Sequence, residues 1–435
     1  MNKLLLIFYS IFFYNSILHA NIHININQGI DIPAPIGIYS FKWKENNLNI
    51  KSDDIGNIIA YDLQNSGKFS PIEISDNNKI YLHQFTRKTL DTSSIPKNLN
   101  INTLLLGKIS LNKQNEYLIS YKLIDLINNP GKILLNSYRT AQIQSFRKVA
   151  HDISNEIFKK LTGITGAFHT RIAYIIYNKN NEYPYQLCIA DYDGYNQKVI
   201  HQSNMPLMSP SWSPDEENIA YVTFEYGNSA IKIKNLKNGS IRHIANFPYH
   251  NGAPAFSPDG EKLAFVLSKT GSLNLYIMFL KSGLIKQITN NSNNNTEPSW
   301  FPNNKELTYT SDQNGNPQIY KINIHNKKSD RISWEGSKNQ NSEVSSDGTF
   351  LAMVNSEKKE QHIALLDLKL ESTKILTKTF LDEAPSISPN NTMIIYKASY
   401  KKNSSIELIS TNGRFKKSIL KIDGQIKFPR WSQKI

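Results

Sequence analysis

A short phrase recurs six times in the second half of the chain and limits the folds that the chain can adopt. In five copies it begins with a proline, and it runs through an apolar residue, often tryptophan, to Ser-Pro-Asp or a near variant; a short apolar strand follows every copy except the last. The central apolar residues are Trp212, Phe256, Trp300, Val344, Ile387 and Trp431, at intervals of 44, 44, 44, 43 and 44 residues. A constant period of roughly 40–50 residues is typical of the four-stranded blades of a β-propeller.

The two ends of the repeat region are incomplete, and they complement each other. Residues 171–176 match the second strand of a repeat without a Pro-x-Trp strand before them, whereas the strand ending at Trp431 has no further strand after it. Joined, they complete one blade, which brings the total to six. The sequence therefore predicts a six-bladed β-propeller over residues 168–435. Pairing the C-terminal strand with the first blade closes the ring and removes its open edges.

The start of the chain is typical of a secreted protein. Residues 1–20 contain a lysine near the N-terminus, an apolar run and Ala20 at the end, which predicts a signal peptide; an uncleaved membrane anchor is the alternative. Residues 21–34 form an arm in which Ile22, Ile24 and Ile26 alternate with polar residues at the period of a strand. The arm is either an ordinary first strand or a mobile segment that adds to a partner's sheet.

Residues 35–165 have the pattern of an α/β domain. Strands are predicted at 35–41, 103–109, 117–124 and 133–138, and helices at 55–63 and 145–161. Asn65-Ser-Gly67 and Gly163 supply the glycines that commonly end helices. The predicted fold is thus an α/β N-terminal domain followed by the all-β propeller.

Composition excludes several classes of function. The formal net charge is +14, but the lysines are scattered over the repeats instead of forming a basic stripe, so we expect no nucleic-acid binding. Cys188 is the only cysteine, which excludes an internal disulfide, and its apolar strand predicts a buried structural thiol. We expect no cofactor.

Motifs for catalysis are missing from the sequence. It contains no Gly-x-Ser-x-Gly elbow, no phosphate-binding loop and no His-Glu-x-x-His, and its histidines lack the spacing of zinc ligands. We therefore expect no catalytic residue, no metal site and no enzymatic activity. Two alternatives stay open: a hydrolase or lyase that uses Glu297 or Asp382, and a propeller that binds cell-wall saccharide. The repeat position of Trp212, Trp300 and Trp431 predicts blade core for them instead of sugar stacking.

One end of the propeller channel is the predicted binding face. In a propeller, the loops that enter the innermost strands gather around one mouth of the channel. Glu297, Asp382 and Glu383 lie just before or at the start of these strands, together with small residues where a partner's chain could approach closely. The mouth carries both signs of charge. We interpret it as a protein-binding face, at which a cation near the carboxylates is a further hypothesis.

Several stretches resemble the TolB family, the periplasmic propellers of the Tol–Pal system. They include His250-Asn-Gly-Ala-Pro-Ala-Phe-Ser-Pro-Asp-Gly260, Asn294-Asn-Thr-Glu-Pro-Ser-Trp300-Phe-Pro302 and Phe380-Leu-Asp-Glu-Ala-Pro385, and the similarity covers essentially the whole mature chain. The resemblance implies a non-enzymatic, monomeric adaptor that supports outer-membrane integrity and envelope constriction at cell division.

The resemblance also implies partners. The propeller mouth would bind the lipoprotein Pal, through which the protein would associate peripherally with the outer membrane, and the arm would contact TolA through Ile22, Ile24 and Ile26. Matching positions place His250, Ala253, Thr296 and Glu297 in the Pal-binding surface. We add Asp382 and Glu383 to this predicted surface because their loop leads into an innermost strand at the mouth.

Overall fold

The computed structural model describes residues 32–39, 41–43, 55–74, 100–111, 116–400 and 403–435. The predicted signal peptide and most of the predicted arm, including Ile22, Ile24 and Ile26, lie outside these residues. The chain from Pro33 to Ile435 forms one compact unit. In the described part of the chain, no helix combines the length and the apolar character that crossing a membrane requires.

The N-terminal region is built on a mixed β-sheet. Its strands are β1 (Ala34–Tyr39), β2 (Lys42–Trp43), β3 (Phe69–Ile74), β4 (Thr103–Leu111), β5 (Tyr117–Asp125) and β6 (Ile133–Ala141). The order is β3-β1-β4-β5-β6, with β2 beside β4; β1 is parallel to β3 and β4, and β4 to β6 are antiparallel. The sequence pattern does not reveal β3, because Ser70 and Pro71 interrupt its apolar residues. As an edge strand, β3 tolerates that proline.

Two helices pack together against one face of this sheet. Helix α1 (Ile55–Asn65) buries Ile58, Ile59 and Leu63, and α2 (Phe146–Thr162) follows a 3-10 turn at Ile143–Ser145. Both helices end as predicted, because Gly67 and Gly163 adopt left-handed φ angles of 67° and 76°. Gly67 is also tightly packed, since a Cβ atom there would lie 2.5 Å from Ser410 of the propeller.

Six four-stranded sheets follow, and we number the blades by the chain order of their innermost strands. Blade 1 contains β10 (Leu207–Trp212), β11 (Asn218–Tyr226), β12 (Asn228–Asn235) and β13 (Ile241–Ala245); blade 2 contains β14 (Asn251–Phe256), β15 (Lys262–Leu267), β16 (Asn274–Phe279) and β17 (Ile285–Gln287). Blade 3 contains β18 (Asn295–Trp300), β19 (Glu306–Ser311), β20 (Gln318–Asn323) and β21 (Ser329–Arg331).

The remaining blades include the one that closes the ring. Blade 4 contains β22 (Lys338–Val344), β23 (Phe350–Glu357), β24 (Glu360–Asp367) and β25 (Thr373–Ile375); blade 5 contains β26 (Asp382–Ile387), β27 (Met393–Tyr400), β28 (Asn403–Ser410) and β29 (Lys416–Lys421). Blade 6 contains β30 (Gln425–Trp431), β7 (Arg171–Tyr177), β8 (Tyr185–Asp191) and β9 (Lys198–Ser203). The predicted six-bladed propeller and its closure by the C-terminal strand are confirmed.

The repeated phrase has the structural roles that its chemistry predicts. In the turn after β10, Asp215 Oδ1 accepts hydrogen bonds from the Ser213 hydroxyl at 2.5 Å and from the Glu217 N–H at 2.9 Å, so the aspartate caps the turn. Cys188 is fully buried, and burial raises the pKa of its thiol to about 12. A thiol in this environment stays protonated, in agreement with the structural role expected for it.

The N-terminal region shares its core with the propeller. Phe158 of α2 packs edge-on against Phe168, with 5.6 Å between the ring centroids; Phe168 contacts Tyr192 at 5.8 Å, and Tyr192 stacks on Trp431 at 6.0 Å. This aromatic row runs from the last helix into blade 6. The predicted domain boundary near residues 165–168 therefore passes through a continuous core, and its position stays a prediction.

Candidate functional site

The loops that lead from one blade to the next lie at one end of the channel. Neighbouring strands within each blade are antiparallel, so every innermost strand begins at this end and every Ser-Pro-Asp turn lies at the other. We call this end the mouth; its loops are residues 204–206, 246–250, 288–294, 332–337, 376–381 and 422–424. We call the other end the turn face. The predicted partner-binding residues in the propeller all lie in these loops or in the first three residues of an innermost strand.

Every innermost strand bulges just inside the mouth. Its pairing with the second strand shifts register there in all six blades. The bulge residues have φ angles between 47° and 55°, and they are Ser209, Ala253, Glu297, Asn341, Ala384 and Phe428. Since glutamate and phenylalanine occupy the same position as alanine, small size is not what this position requires. The six residues share a left-handed backbone instead, which redirects each strand at the mouth.

A second repeated feature, which was not predicted from the sequence, fixes the mouth loops. A buried asparagine or aspartate stands at the start of four innermost strands, namely Asn251, Asn295, Asn339 and Asp382, at spacings of 44, 44 and 43 residues. The Asn251 side-chain amide donates to the backbone carbonyls of Phe247 and Ser229, each at 2.8 Å. These bonds hold the loop before β14 to the neighbouring blade. The regular spacing is the signal that could have predicted them.

Asp382 belongs to this set of buried anchors. Its side chain is fully buried, and its carboxylate accepts a hydrogen bond from the Thr379 hydroxyl. Burial raises the pKa of this carboxyl group. The sequence analysis placed Asp382 on the partner-binding surface, whereas the structure places it beneath that surface. Asp382 is therefore not part of the accessible surface of the mouth.

His250 lies at the mouth with its ring over a glycine. The residue is exposed, and its backbone N–H donates to the Ser268 hydroxyl at 3.0 Å. A Cβ atom on Gly252 would lie 2.3 Å from His250 Nε2, so the imidazole occupies space that any larger residue at position 252 would take. Ala253, the bulge residue, follows in the same strand and is half-buried.

Glu297 joins two blades at the mouth. Its Oε2 atom accepts a hydrogen bond from the Thr310 hydroxyl and another from the Asn341 N–H of blade 4, both at 2.7 Å. Thr296 precedes it, and both residues are half-buried. The carboxylate is thus held in one position with part of its surface open to the mouth.

Glu383 is the second accessible acidic residue of the mouth, and its neighbours are lysines. It forms an ion pair with Lys397 of the same blade. Lys427 of blade 6 lies nearby. Burial lowers the pKa of the Lys427 amine, and Lys397 adds a smaller effect in the same direction, whereas Glu383 acts to raise this pKa. The mouth therefore carries both signs of charge, as the sequence predicts.

Exposed apolar side chains stand around the mouth. Tyr249, Trp334, Phe380 and Met205 lie in four of its six loops with 72%, 63%, 64% and 43% of their surface exposed. The Arg331 guanidinium lies 4.4 Å from the centroid of the Trp334 ring. Sequence reasoning missed this group, because an apolar residue in a loop follows no period. We call these four residues the apolar rim.

An ion pair behind the mouth joins the two blades on either side of blade 5. Glu343 of blade 4 and Arg430 of blade 6 are 2.8 Å apart, and Glu343 also accepts hydrogen bonds from the Ser386 hydroxyl and the Ile387 N–H of blade 5. The pair lines a cavity of about 260 Å³ together with Pro214, Pro258 and Pro302 of the turn face.

The repeated tryptophans are blade core, as predicted. Trp212, Trp300 and Trp431 are only 5%, 7% and 2% exposed. Trp212 Nε1 donates to the Arg430 carbonyl at 3.2 Å, and Trp300 Nε1 donates to the Ala255 carbonyl at 3.0 Å, so both connect neighbouring blades. So little of each ring is exposed that the three tryptophans offer almost no surface to a sugar.

The acidic residues of the mouth are not gathered into a metal-binding group. Within the described residues, the group with suitable geometry is Asp62, His151 and Asp193, which belong to α1, α2 and the turn after β8 and not to the mouth. The hypothesis of a cation bound by Glu297, Asp382 and Glu383 therefore has no support from their positions.

Two family models match the chain. Residues 158–435 match the TolB beta propeller domain, and residues 22–131 match the TolB amino-terminal domain. The chain is 69% identical over 434 residues to the Tol-Pal system protein TolB of Wigglesworthia glossinidia brevipalpis, with 100% of each chain covered. It is 50% identical to the protein of that name from Sodalis glossinidius, with 96% of each chain covered.

Solved structures agree with this similarity. The crystal structure of TolB from Acinetobacter baumannii superposes with a TM-score of 0.82 at 32% identity, covering 92% of this chain and 96% of that one. A chain of a nidogen/laminin complex matches 61% of this chain with a TM-score of 0.51 at 9% identity, which supports the fold alone.

Proposed function

This chain belongs to the TolB family of Tol–Pal system proteins, and on that premise we propose that it is a non-enzymatic periplasmic adaptor. Its mouth binds the peptidoglycan-associated lipoprotein Pal, and its N-terminal arm binds TolA through Ile22, Ile24 and Ile26. Binding of both partners by a monomer links the outer membrane to the energised inner membrane. In this role the protein supports outer-membrane integrity and envelope constriction at cell division.

The observation that carries this proposal is the construction of the mouth. Six equivalent bulges fix the backbone, while the residues on them are of five different types. A rigid frame with variable side chains is suited to recognising one protein surface, because little conformational entropy is lost when the partner binds.

The apolar rim favours a protein over a small molecule as the binding partner. Aromatic side chains contribute large contact areas to protein interfaces, and residues that dominate binding energy are enriched in tryptophan and tyrosine. At this mouth, Tyr249, Trp334 and Phe380 are exposed in three different loops. We propose that the rim makes the apolar contacts with Pal, while His250, Ala253, Thr296, Glu297 and Glu383 determine its orientation.

A pull-down from cell-envelope extract tests the proposal. The mature protein should capture Pal, and a variant with Thr296→Ala and Glu297→Gln should lose at least about tenfold in affinity, the equivalent of about 1.4 kcal/mol. Glutamine retains an oxygen that can accept the hydrogen bond from Asn341, so the blades stay joined. Glu261→Ala, an exposed acid on the turn face, is the matched control and should capture Pal normally.

The same experiment separates the two partners and the alternatives. Deleting residues 22–26 should abolish TolA capture and leave Pal capture intact. Equal Pal capture by the mouth variant would contradict the interface. Retention by purified peptidoglycan without any protein would favour the saccharide-binding alternative, and a hydrolytic activity lost with Glu297 would favour the enzyme.

A further inference from the structure

The residue just before the central apolar residue of each repeat lines a cavity within the propeller. In blades 1, 2, 3, 4 and 6 this residue lines the cavity of about 260 Å³ beside the Glu343–Arg430 pair, and the five are Ser211, Ala255, Ser299, Glu343 and Arg430. Three of them are small, and the other two are long and carry opposite charges. The predicted Pal-binding residues do not line this cavity. A binding site here would therefore be separate from the mouth.

The ion pair gives the cavity no net charge. In the described part of the chain, Glu343 and Arg430 are the only charged residues that line it. Glu343 Oε1 accepts hydrogen bonds from the Ser386 hydroxyl at 3.1 Å and the Ile387 N–H at 3.0 Å, and Oε2 accepts one from Arg430 Nη1 at 2.8 Å. Burial raises the pKa of this carboxyl group, whereas Arg430 and the hydrogen bonds act to lower it. Because a charged ligand would find no unpaired opposite charge, an uncharged ligand fits the cavity best.

Arg430 keeps hydrogen-bond donors that nothing nearby uses. Its Nη1 atom donates to Glu343 and to the Pro385 carbonyl, the latter at 3.2 Å. Its Nε and Nη2 atoms have no hydrogen-bond partner among the described residues, and its side chain is 27% exposed. A guanidinium carries five N–H donors, so most of them remain available to a ligand.

Two serines add further donors to the same cavity. The Ser211 hydroxyl accepts a hydrogen bond from the Phe256 N–H at 3.4 Å, and the Ser299 hydroxyl accepts one from the Val344 N–H at 3.1 Å. Neither hydroxyl donates to another residue in the described part of the chain. A hydroxyl group that accepts one bond still has a proton to donate and a second lone pair. The cavity therefore offers more donors than acceptors.

Apolar rings form the wall toward the turn face. Pro214, Pro258, Pro302 and the half-buried Phe256 line it there. Pro258 and Pro302 are exposed, so a ligand can enter from the turn face. The volume of about 260 Å³ corresponds to roughly nine water molecules and is at the small end for a ligand pocket. A fitting ligand is therefore small and has an apolar part beside its hydrogen-bond acceptors.

We propose that this cavity binds a short, apolar, uncharged peptide through its backbone amides. The amide carbonyl is a strong acceptor without a charge, which is what the free donors require. One carbonyl oxygen accepts from Arg430, a second accepts from Ser211 or Ser299, and an apolar side chain packs against the proline rings. The site does not rest on the function proposed for the mouth.

NMR titration of the full mature protein with N-acetyl-leucine amide at pH 7 tests this proposal. The tryptophan indole N–H signals locate the ligand. Trp212 and Trp300 donate to the carbonyls of Arg430 and Ala255 in the cavity, whereas Trp334 lies at the mouth. The signals of Trp212 and Trp300 should shift to saturation with a Kd of about 1 mM, and that of Trp334 should not shift. N-acetyl-leucine, whose carboxylate is charged at pH 7, should bind at least roughly tenfold more weakly.

A variant that fills the cavity supplies the second measurement. Glu343 and Arg430 stand at the position equivalent to Ala255, so this position accepts a long side chain, and Ala255→Leu should take up part of the cavity. It should bind the amide at least roughly tenfold more weakly and capture Pal normally. The matched control is the mouth variant with Thr296→Ala and Glu297→Gln, which should bind the amide like the wild type. The outcomes at the two sites are thus distinguishable.

Three outcomes would overturn the proposal. One is the absence of a saturable shift of Trp212 and Trp300, which would mean that the cavity holds only water. Another is equal or tighter binding of N-acetyl-leucine, because the cavity would then not prefer an uncharged ligand. Both are measured on the wild type and do not depend on the folding of a variant. The third is unchanged affinity for the amide in Ala255→Leu.

Discussion

His250 depends on the residue two positions after it. Its imidazole lies over Gly252, where a Cβ atom would be 2.3 Å from Nε2. Gly252 is not among the residues with positive φ, so the backbone itself would accept alanine. The glycine is required for the space it leaves to the histidine ring.

Gly252→Ala should therefore weaken Pal binding and leave the fold intact. The added methyl group displaces only the end of a flexible side chain, so we expect the free energy of unfolding to change by less than about 1 kcal/mol. Binding, measured by calorimetry with the soluble domain of Pal, should weaken by roughly tenfold. His250→Ala is the control background. If Gly252→Ala weakens binding equally there, its effect does not pass through His250.

The turn after the innermost strand is held by the same hydrogen bonds in blades 1, 2 and 4. Asp215, Asp259 and Asp347 each accept a hydrogen bond from a serine hydroxyl and another from a backbone N–H, while blades 3 and 5 have Asn303 and Asn390 at this position. Burial tends to raise the pKa of each aspartate, but the hydrogen bonds together outweigh it and lower the pKa. The turn accepts either residue, but only aspartate makes it sensitive to acid.

Changing the three aspartates to asparagine should reduce acid denaturation. A carboxyl group with a lowered pKa stabilises the fold above the pKa of the unfolded chain, about 3.9, and this contribution is lost as the pH falls through the lower, folded value. Urea unfolding at pH 7 should show a loss of no more than about 1 kcal/mol per turn, because these groups are partly solvent-exposed. Between pH 7 and pH 3 the triple variant should lose less stability than the wild type. Equal losses would exclude this role. The control is Glu261→Gln, which changes an exposed acid in the turn after β14.

Sequence patterns predict elements well where the pattern is local. Helix α2 follows from apolar residues at helical spacing and from the glycine that ends it, and most blade strands follow from the repeat. The pattern fails for β3, where Pro71 is tolerated only because the strand lies at a sheet edge. That edge position depends on β1, which is distant in sequence.

Ring closure holds the whole propeller together. In blade 6, β30 pairs with β7 through partners such as Trp431 and Ile172. Trp431 Nε1 also donates to the Thr170 hydroxyl at 2.6 Å, and Arg430 pairs with Glu343 of blade 4. All of these contacts join the end of the chain to residues far earlier in the sequence.

Removing residues 425–435 should abolish cooperative unfolding. Without β30, the apolar strand β7 becomes an open edge next to the channel, and we expect aggregation and no single denaturation transition. A synthetic peptide of residues 425–435 added during refolding should restore the transition. The matched control removes only residues 433–435, which are exposed, and should unfold like the full chain. Unfolding of the longer truncation at the same urea concentration as the wild type would show that closure contributes little.

The sequence by itself determined the architecture and the location of the candidate site. A turn and a period depend on neighbouring residues, so 44-residue spacing predicts blades, and the half-repeats predict how the ring closes. Tertiary structure alone decided which mouth residues are accessible. Asp382 and Glu383 are adjacent in the sequence, yet one is buried beneath the mouth and the other faces a lysine. The pairs Glu343–Arg430 and Asp62–His151 join residues 87 and 89 positions apart, and only the folded chain brings such residues into contact.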